Sequence, residues 1–447
     1  MSEEKATLKE GEFVLGVLDA FSVPDNDDVV VIGRVQGIIR DGDRLYISNI
    51  GDDDDELVIL HAVALEVDRK VVPIAKDELV AIKIGDAKGE NIKVGTVIRS
   101  ENVDESLLKT AYVNALADSY VGKRKMELND ITLVKMSIAD CAETWRVYSW
   151  IFAQNKDVNS EADVAIYKSN LRTLGTNIAK KVLLADEIYC VFGKMTDEPF
   201  LFSKTFNKDQ GFVCTPPMIK IFPKAYLKEA KEKYDTDKTE VRKIENGEDM
   251  LGIEKFLSEA FCMTGALGVM VIFDQTEIGS QAFINEMKDE KSKSPVGISN
   301  PDISRWLLLS LQIGKPETEE DKMVSRMYFN LFARELPKAR LLVPMKHDKD
   351  LPRPGKDETI TFNEKIELSL PVRMDTNGRQ SLCLYTDINK MRKMYDKEWD
   401  ILVQPIEAFV NQFDCIIDHI DNKMLGCVVT KESYETIKKI AEKGNGE

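Results

Sequence analysis

The chain opens with short apolar runs separated by clusters of glycine, aspartate and asparagine. Runs of this length that are rich in β-branched residues and bounded by turn residues predict strands. Several such strands in succession favour a closed antiparallel barrel, because closure leaves no strand edge exposed. The predicted strands cover residues 13–20, 29–35, 44–48, 57–65, 79–84 and 96–98.

The pattern changes near residue 104, where apolar residues begin to recur at helical spacing. Apolar positions that repeat every three or four residues lie on one face of a helix, and this face packs into a core. We therefore expect these stripes to be core surface rather than a cofactor site. The predicted helices cover residues 107–120, 133–152 and 164–184.

The rest of the chain carries one α/β unit twice. Each copy opens with an apolar strand after a helix, at residues 188–195 and 339–345. A strand that runs into a helix, a short helix and a further strand then follow in the same order. The matching segments are 219–227 with 382–390, 252–257 with 405–410, and 271–274 with 417–421, followed by Gly279 and Gly426. The first copy also contains a charged segment, 231–248, that we expect to be a solvated helix and turn.

These patterns predict a multidomain α+β protein. An antiparallel β-barrel occupies residues 1–102, and a helical lead-in with a divergent α+β module occupies residues 103–298. A second α+β module with its own lead-in occupies residues 299–447.

The landmarks of the barrel occur in a recognisable order. They are FVLGVLDAF at 13–21, VIGRV at 31–35, Gly37, Gly42-Asp43, LVAI at 79–82 and IKVGTVI at 92–98. This order resembles the second domain of translational GTPases such as elongation factor Tu. The resemblance implies a barrel with Gly33 and Gly37 at close approaches of the backbone. It also implies a module that can contact tRNA or ribosomal RNA. The phosphate-binding sequence GxxxxGK[ST] is absent, so we expect no GTPase domain.

The second α/β module resembles the SseB family. The similarity rests on LLVPM at 341–345, LPV at 370–372, LYTD at 384–387, a final strand near Asp421 and a lead-in that begins Asn300-Pro301-Asp302. Members of that family are small α+β modules without an assigned catalytic centre. The resemblance therefore implies a regulatory or interaction module, and the first module is a more divergent relative.

The charge of the chain argues against a general nucleic-acid binder. Acidic residues outnumber basic ones 77 to 61, which gives a net charge of −16, and residues 1–101 hold 22 acidic and 12 basic side chains. Affinity for phosphates requires lysine and arginine. The acidic run 52–56 predicts a solvated hairpin loop or a contact for a basic partner. The basic cluster Lys123-Arg124-Lys125 predicts a solvated helix end.

The sequence predicts a cytoplasmic protein. Its polar, acidic start lacks the features of a secretory signal, and no apolar run approaches the roughly 18 residues of a membrane span. Seven scattered cysteines without a CxxC pair indicate buried free thiols in a reducing compartment.

We found no constellation with the spacing that catalysis or metal binding needs. The three histidines, His61, His347 and His419, show no HxxxH or HExxH pattern. Cys415 and His419 would lie about 13 Å apart along a strand, beyond the reach of a hydrogen bond. We therefore predict no catalytic residues, no cofactor-binding residues and no metal ligands.

A non-catalytic adaptor or regulatory protein fits these observations best. We expect a protein partner, no nucleic-acid partner, no membrane and no cofactor. Two alternatives stay open at this point. One is a translation-associated factor that contacts the ribosome or tRNA through the barrel. The other is an enzyme with an unrecognised site between the repeats, since clefts between modules often bind ligands.

Overall fold

The structure is a computed structural model of the chain. It describes residues 6–24, 26–53, 56–122, 127–155, 160–208, 211–293, 298–347, 367–374, 378–421 and 426–444. Two compact units are formed. The first comprises Met1–Tyr189, Ile221–Glu229 and Met270–Ile278, and the second comprises Cys190–Lys220, Ala230–Val269 and Gly279–Glu447. The domain boundaries near residues 102 and 298 stay predictions.

The first unit begins with a closed antiparallel barrel, as the strand pattern predicts. Six strands close in the order β1-β8-β3-β4-β7-β2-β1, and β5 and β6 pair with β4 and β2. Their inward side chains form one apolar core that includes Leu15, Val31, Leu45, Leu65 and Ile82. The strands are β1 (Phe13–Ser22), β2 (Val29–Arg40), β3 (Arg44–Ser48), β4 (Val58–Val67), β5 (Lys70–Val72), β6 (Ile74–Lys76), β7 (Leu79–Ile84) and β8 (Val97–Arg99).

Glycines allow two close approaches at the barrel wall. Gly37 has φ +86°, and a Cβ there would lie 2.2 Å from the Glu12 carbonyl oxygen. On the outer face of β1, a Cβ at Gly16 would lie 2.3 Å from the Ala111 carbonyl oxygen of the helix that follows the barrel. Gly16 therefore sets how closely this helix packs on the barrel.

The barrel leads into four helices of the first unit. They are α1 (Glu105–Leu116), α2 (Asp130–Leu133), α3 (Ile138–Gln154) and α4 (Glu161–Leu184), and a π-helical turn (Ala117–Val121) continues α1. Ser137 and Ser160 each form a capping box, with Asp140 and Asp163 respectively, which satisfies the free amides at the start of α3 and α4. The helical periodicity predicted α1, α3 and α4 but not the short α2.

The first copy of the repeat forms a five-stranded sheet in the order β13-β9-β12-β14-β15. A two-stranded hairpin, β10 and β11, lies between β9 and β12 in the sequence. The strands are β9 (Glu187–Gly193), β10 (Thr205–Lys208), β11 (Gly211–Cys214), β12 (Ile219–Phe222), β13 (Thr239–Glu245), β14 (Gly268–Val271) and β15 (Glu277–Gly279). The helices are α5 (Leu227–Tyr234), α6 (Gly252–Glu259), α7 (Ser280–Glu286) and α8 (Glu290–Lys293), with short turns at Lys224–Tyr226 and Ala260–Thr264.

The second copy has the same strand order. β16 pairs with β20, and the parallel pair β19 and β21 continues to β22. An antiparallel bridge between Leu342 and Tyr385 joins the two groups. The strands are β16 (Leu341–His347), β17 (Leu368–Ser369), β18 (Val372–Met374), β19 (Gln380–Leu384), β20 (Asp400–Gln404), β21 (Asp414–Ile417) and β22 (Cys427–Val429). The helices are α9 (Pro301–Ile313), α10 (Glu319–Glu335), α11 (Ile388–Met394), α12 (Glu407–Val410) and α13 (Lys431–Gly444), with a short turn at Leu336–Lys338.

The match between the copies extends to the backbone. Ile272 and Asp418 follow β14 and β21, and both have a left-handed backbone, with φ of 62° and 57°. The Ile272 amide donates to the Ile221 carbonyl, and the Asp418 amide donates to the Leu384 carbonyl, each at 2.9 Å. The residues paired by sequence thus occupy equivalent positions.

One expectation for the first copy was wrong. The charged segment 231–248 contains the edge strand β13 as well as the second half of α5, and β13 corresponds to β20 of the second copy. Only Thr239 of β13 is buried. An edge strand tolerates charged residues on its open side, so its sequence lacks the apolar alternation that predicts a strand.

Within the part of the chain that the structure describes, no helix combines the length and the apolar character that crossing a membrane requires.

We expect Gly16→Val to lower the free energy of unfolding of the first unit by about 1–3 kcal/mol, because the added side chain would push α1 off the barrel. Urea unfolding followed by tryptophan fluorescence measures this change. Gly279→Ala is the control, since a Cβ at Gly279 has no atom within 4 Å. If both variants unfold at the same urea concentration as the parent, Gly16 does not set this packing.

Candidate functional site

Polar side chains lie at one edge of the sheet in the second copy. β19 and β21 are parallel, with Leu384 opposite Ile417, so their carboxyl ends meet at the same edge. Thr386 and Asp387 follow β19, Asp418 follows β21, and all three are buried. Ligands of α/β sheets commonly bind outside the carboxyl ends of parallel strands. This edge is therefore the first place to look for a site.

Lys390 joins these side chains into one cluster. Its Nζ lies 2.6 Å from Asp387 Oδ2 and 3.6 Å from Asp418 Oδ2. It also donates to Thr386 Oγ1 at 3.1 Å and to Ser304 Oγ of α9 at 3.2 Å. We call Ser304, Thr386, Asp387, Lys390 and Asp418 the Lys390 cluster.

The Asp418 carboxylate is held by the backbone that precedes α11. It accepts hydrogen bonds from the Thr386 amide at 2.8 Å and from Thr386 Oγ1 at 2.7 Å. The left-handed backbone at Asp418 is a conformation that aspartate adopts more readily than β-branched residues do. Asp387 caps α11 by accepting from the Lys390 amide at 2.9 Å. The carboxylates are thus positioned by local backbone geometry as well as by charge.

The protonation of the cluster follows from burial and from its own charges. Burial would lower the pKa of Lys390, but the charges of Asp418 and Asp387 raise it above its usual range. Burial raises the pKa of Asp418, Lys390 opposes this shift, and the charge of Asp387 adds to it. Lys390 therefore stays a cation and acts as a donor. It does not serve as a base for the Ser304 hydroxyl.

A cleft of about 450 Å³ opens beside the cluster, and all of its walls belong to the second unit. Lys393 Nζ lies 3.1 Å from Glu198 Oε1 on this wall, and Asn389 Nδ2 donates to Glu259 Oε1 at 3.0 Å. The residues that line the cleft are Glu198, Glu259, Met263, Thr264, Asp387, Asn389, Lys390, Arg392 and Lys393. An adjoining cavity of about 20 Å³ touches Ser304, Lys390 and Asp418 and has room for about one water molecule.

The seven cysteines are not activated. Burial raises the pKa of every one of these thiols, to about 12 for Cys141 and Cys415 and to about 11 for Cys427. Cys415 Sγ contacts the Phe413 carbonyl oxygen, whereas His419 Nε2 lies 3.2 Å from Asp421 Oδ1. The structure thus does not bring Cys415 and His419 together as a nucleophile and base.

The other two histidines are also apart from the cleft. His347 Nε2 lies 2.6 Å from Asp400 Oδ2, and His61 is exposed on barrel strand β4. Among the residues that the structure describes, no three His, Cys, Asp or Glu side chains converge in a way that could hold a metal ion.

Two residues of the acidic run 52–56, Asp52 and Asp53, are engaged within the first unit, which corrects the expectation of a solvated hairpin loop. Asp52 pairs with the largely buried Lys93, which also lies 2.8 Å from Asp140 at the start of α3. Asp53 accepts from the Ala225 amide at 2.8 Å. A buried lysine is stable only when a carboxylate neutralises it, and Asp52 is one of the two carboxylates that do so for Lys93. Asp54, Asp55 and the basic cluster 123–125 lie outside the described residues.

Sequence reasoning missed the members of this site. In the sequence, Thr386 and Asp387 were noted only as part of the LYTD motif, and Lys390 only as the last residue of a repeat segment. A signal was present, because the first copy has Pro223, Leu227 and Ile272 where the second has Thr386, Lys390 and Asp418. Polar residues at positions that are apolar in a sister repeat are candidates for a role beyond packing.

Comparison with known proteins gives a limited likeness. No family model matches the chain. No curated protein matches it either. Among solved structures, it is similar to translation elongation factor SelB from Methanococcus maripaludis in complex with the GTP analogue GppNHp, with 22% identity and a TM-score of 0.19 over 22% of this chain and 21% of that chain. The apo form of SelB gives 22% identity and a TM-score of 0.18 over 21% of this chain and 19% of that chain. The match thus spans about a fifth of SelB, and the strand pairing of this chain by itself defines the barrel.

The two aspartates of the cluster should contribute differently to the free energy of unfolding. Asp387→Asn keeps a good helix cap but removes the closest carboxylate from Lys390, so we expect a loss of about 3 kcal/mol in the free energy of unfolding. Asp418→Asn removes a buried charge whose pKa is raised, and we expect a change of less than about 1 kcal/mol. Chemical denaturation at neutral pH measures both changes.

The pH dependence separates the two roles further. A carboxyl group whose pKa is raised on folding contributes stability below its unfolded pKa of about 3.9 and loses this contribution as pH rises through its folded pKa. The stability of the parent should therefore fall relative to that of Asp418→Asn as pH rises from about 4. Equal losses for the two variants at every pH would contradict this assignment.

Proposed function

We propose that the protein is a non-catalytic adaptor that binds a partner protein through the outer face of barrel strand β4. One observation carries this proposal. Ile59 and Val63 point outward on this strand, Leu57 directly precedes it, and each keeps about half of its surface exposed (49%, 48% and 49%, respectively). Single exposed apolar residues are normal, but a row on one strand face is typical of an interaction surface. We call Leu57, Ile59, His61 and Val63 the β4 row.

The alternation along β4 defines this face. Ala62 and Leu65 are in the barrel core, and Val58 and Leu60 pack against that core. The pairing of β4 with β7 shifts by one residue between Ala62 and Ala64, as at a β-bulge, and Val63 lies on the outside of the barrel. The β4 row therefore contributes little to the core of the barrel, and its apolar character is available for a partner.

The neighbouring strand supplies positive charge. Arg44 of β3 lies directly opposite His61, and Tyr46 lies directly opposite Ile59. The Arg99 guanidinium covers Tyr46, with its central carbon 5.5 Å from the ring centre. Cations beside an apolar row favour a partner segment that combines apolar side chains with carboxylates, since complementary charge orients a complex. We propose as the occupant an apolar protein segment that places a carboxylate against Arg44 without carrying a large negative charge, because the barrel region is itself acidic.

The rest of the proposed assignment follows the resemblances. We propose that the barrel is a counterpart of the second domain of elongation factor Tu and that the two repeats are SseB-like modules. We also propose that the protein acts in the cytoplasm. The excess of carboxylates in residues 1–101, 22 against 12 bases, supports a protein partner rather than RNA. The closed Lys390 cluster, with its lysine protonated, supports binding rather than catalysis.

We expect Ile59→Thr combined with Val63→Thr to reduce partner capture from native lysate by more than about tenfold, since two buried apolar contacts would be lost. Threonine keeps the β-branched shape, so the barrel should stay folded. Quantitative mass spectrometry of captured proteins measures the effect.

A matched control replaces two residues with threonine: Ile131 in α2 and Val134 directly after it. These side chains are exposed by 86% and 67% in the same unit, away from β4 in the sequence. This control should capture the partner as well as the parent does. Recovery of no partner above background, or equal recovery by both double variants, would overturn the proposal.

The translation-associated alternative has its own test. If the barrel contacts the ribosome or tRNA, the parent protein should co-sediment with ribosomes at low salt and lose this association as salt rises. Absence from the ribosome pellet would remove this alternative and leave the adaptor proposal in place.

A further inference from the structure

The repeat contains its own comparison for the Lys390 cluster. At the positions of Thr386, Lys390 and Asp418, the first copy has Pro223, Leu227 and Ile272, all apolar. Both copies have a left-handed residue after the strand, whereas a short helical turn (Lys224–Tyr226) precedes α5 in the first copy and α11 begins directly after Asp387 in the second. The first copy thus has no ionisable side chain at these three positions.

Buried ion pairs are often no more stabilising than well-packed apolar residues. Removing a lysine and two carboxylates from water costs several kcal/mol per ion, and apolar residues of similar size often stabilise a protein as well or better. The first copy shows that apolar residues are compatible with the left-handed turn after the strand. The charges of the second copy therefore favour a role other than stability, and a cleft adjoins them.

The cleft is lined by charges of both signs in equal number. Glu198, Glu259 and Asp387 supply three carboxylates, and Lys390, Arg392 and Lys393 supply three cations. A wall of this kind has no net charge to attract a simple anion or a simple cation. It matches a molecule that itself carries one positive and one negative group.

Glu198 pairs with Lys393 and Asp387 pairs with Lys390, whereas Glu259 and Arg392 form no ion pair in the described part of the chain. Glu259 accepts one hydrogen bond through Oε1, from Asn389, while its Oε2 has no partner there. Loss of surrounding water raises the pKa of Glu259, Asn389 opposes this, and the charges of Glu198 and Asp387 add to it. A cationic group beside Glu259 would relieve this repulsion.

Arg392 is the matching group of opposite sign. Its Nη1 donates to the carbonyl oxygens of Asp396 and Trp399. Its Nε and Nη2 have no hydrogen-bond partner among the described residues. These two donors form the fork that binds a carboxylate through both of its oxygens.

We propose that this cleft binds a small zwitterion, with Glu259 contacting its ammonium group and Arg392 contacting its carboxylate. The Lys390 cluster positions Asn389 and Arg392 by fixing the start of α11. The volume of about 450 Å³ lies within the range of small-molecule sites. A short peptide with free termini has the required groups and size. This inference concerns the second unit alone and does not depend on the β4 row.

Calorimetric titration of the full-length protein tests the proposal with alanylalanine as the probe. We expect saturable binding with a dissociation constant of about 1 mM or tighter, as a ligand of this size allows. N-acetyl-alanylalanine lacks the ammonium group and alanylalanine amide lacks the carboxylate. Each should bind at least about tenfold more weakly, because one charged hydrogen-bonding contact is lost.

Variants assign the two ends. In Glu259→Gln, alanylalanine and its N-acetyl derivative should bind alike, and the amide should stay weaker than alanylalanine by the same factor as in the parent. In Arg392→Lys, which keeps the charge but loses the fork, alanylalanine and its amide should bind nearly alike. Glu290→Gln of α8 and Lys322→Gln of α10 are controls at exposed charges and should bind as the parent does. Unchanged thermal unfolding shows that each variant is folded.

Three results would overturn the proposal. They are no saturable heat with alanylalanine, equal affinity for the three compounds, and unchanged selectivity in both folded variants. None of them bears on capture through the β4 row, so the two proposals fail separately.

Discussion

The second unit is organised around the contact between Lys390 and the carboxylates of Asp387 and Asp418. Four segments meet at this ammonium group: the ends of β19 and β21, the start of α11 and the first half of α9. A buried lysine is tolerated only where oxygen atoms replace its water. Each oxygen around Nζ therefore fixes the segment that carries it. One cation, Lys390, thus connects three features: the parallel strand pair, the cap of α11 and the left-handed turn at Asp418.

The two repeats show that one backbone can be completed in different ways. In the first copy the equivalent positions are apolar, and Ile272 adopts a left-handed backbone that is strained for a β-branched residue. In the second copy aspartate occupies this position with less strain, and its carboxylate binds Thr386. Packing alone accounts for the first arrangement. The arrangement in the second copy places charged side chains beside a cleft, where they can contact a ligand.

The barrel solves a different problem. Closure pairs the six wall strands on both sides, so the barrel presents side chains rather than free backbone to its surroundings. The outward residues of a wall strand are then free to vary without cost to the core. On β4 they are apolar, and the cations of β3 and β8 lie beside them. Such a surface can bind a partner side chain by side chain while the barrel itself stays unchanged.

The sequence alone determined the local elements and their repetition. The six wall strands of the barrel, the helices α1, α3 and α4, and the correspondence of β12 with β19 and β14 with β21 could be predicted, because each depends on periodicity within a few residues. Only the tertiary structure decided the site. Ser304 lies 86 positions from Lys390, and Lys93 lies 41 positions from Asp52. The edge strand β13 could not be predicted, because only one of its residues is buried. Its sequence therefore lacks the alternation of apolar and polar residues that indicates a strand. Ion pairs and edge strands depend on neighbours brought by the fold, and no local period records them.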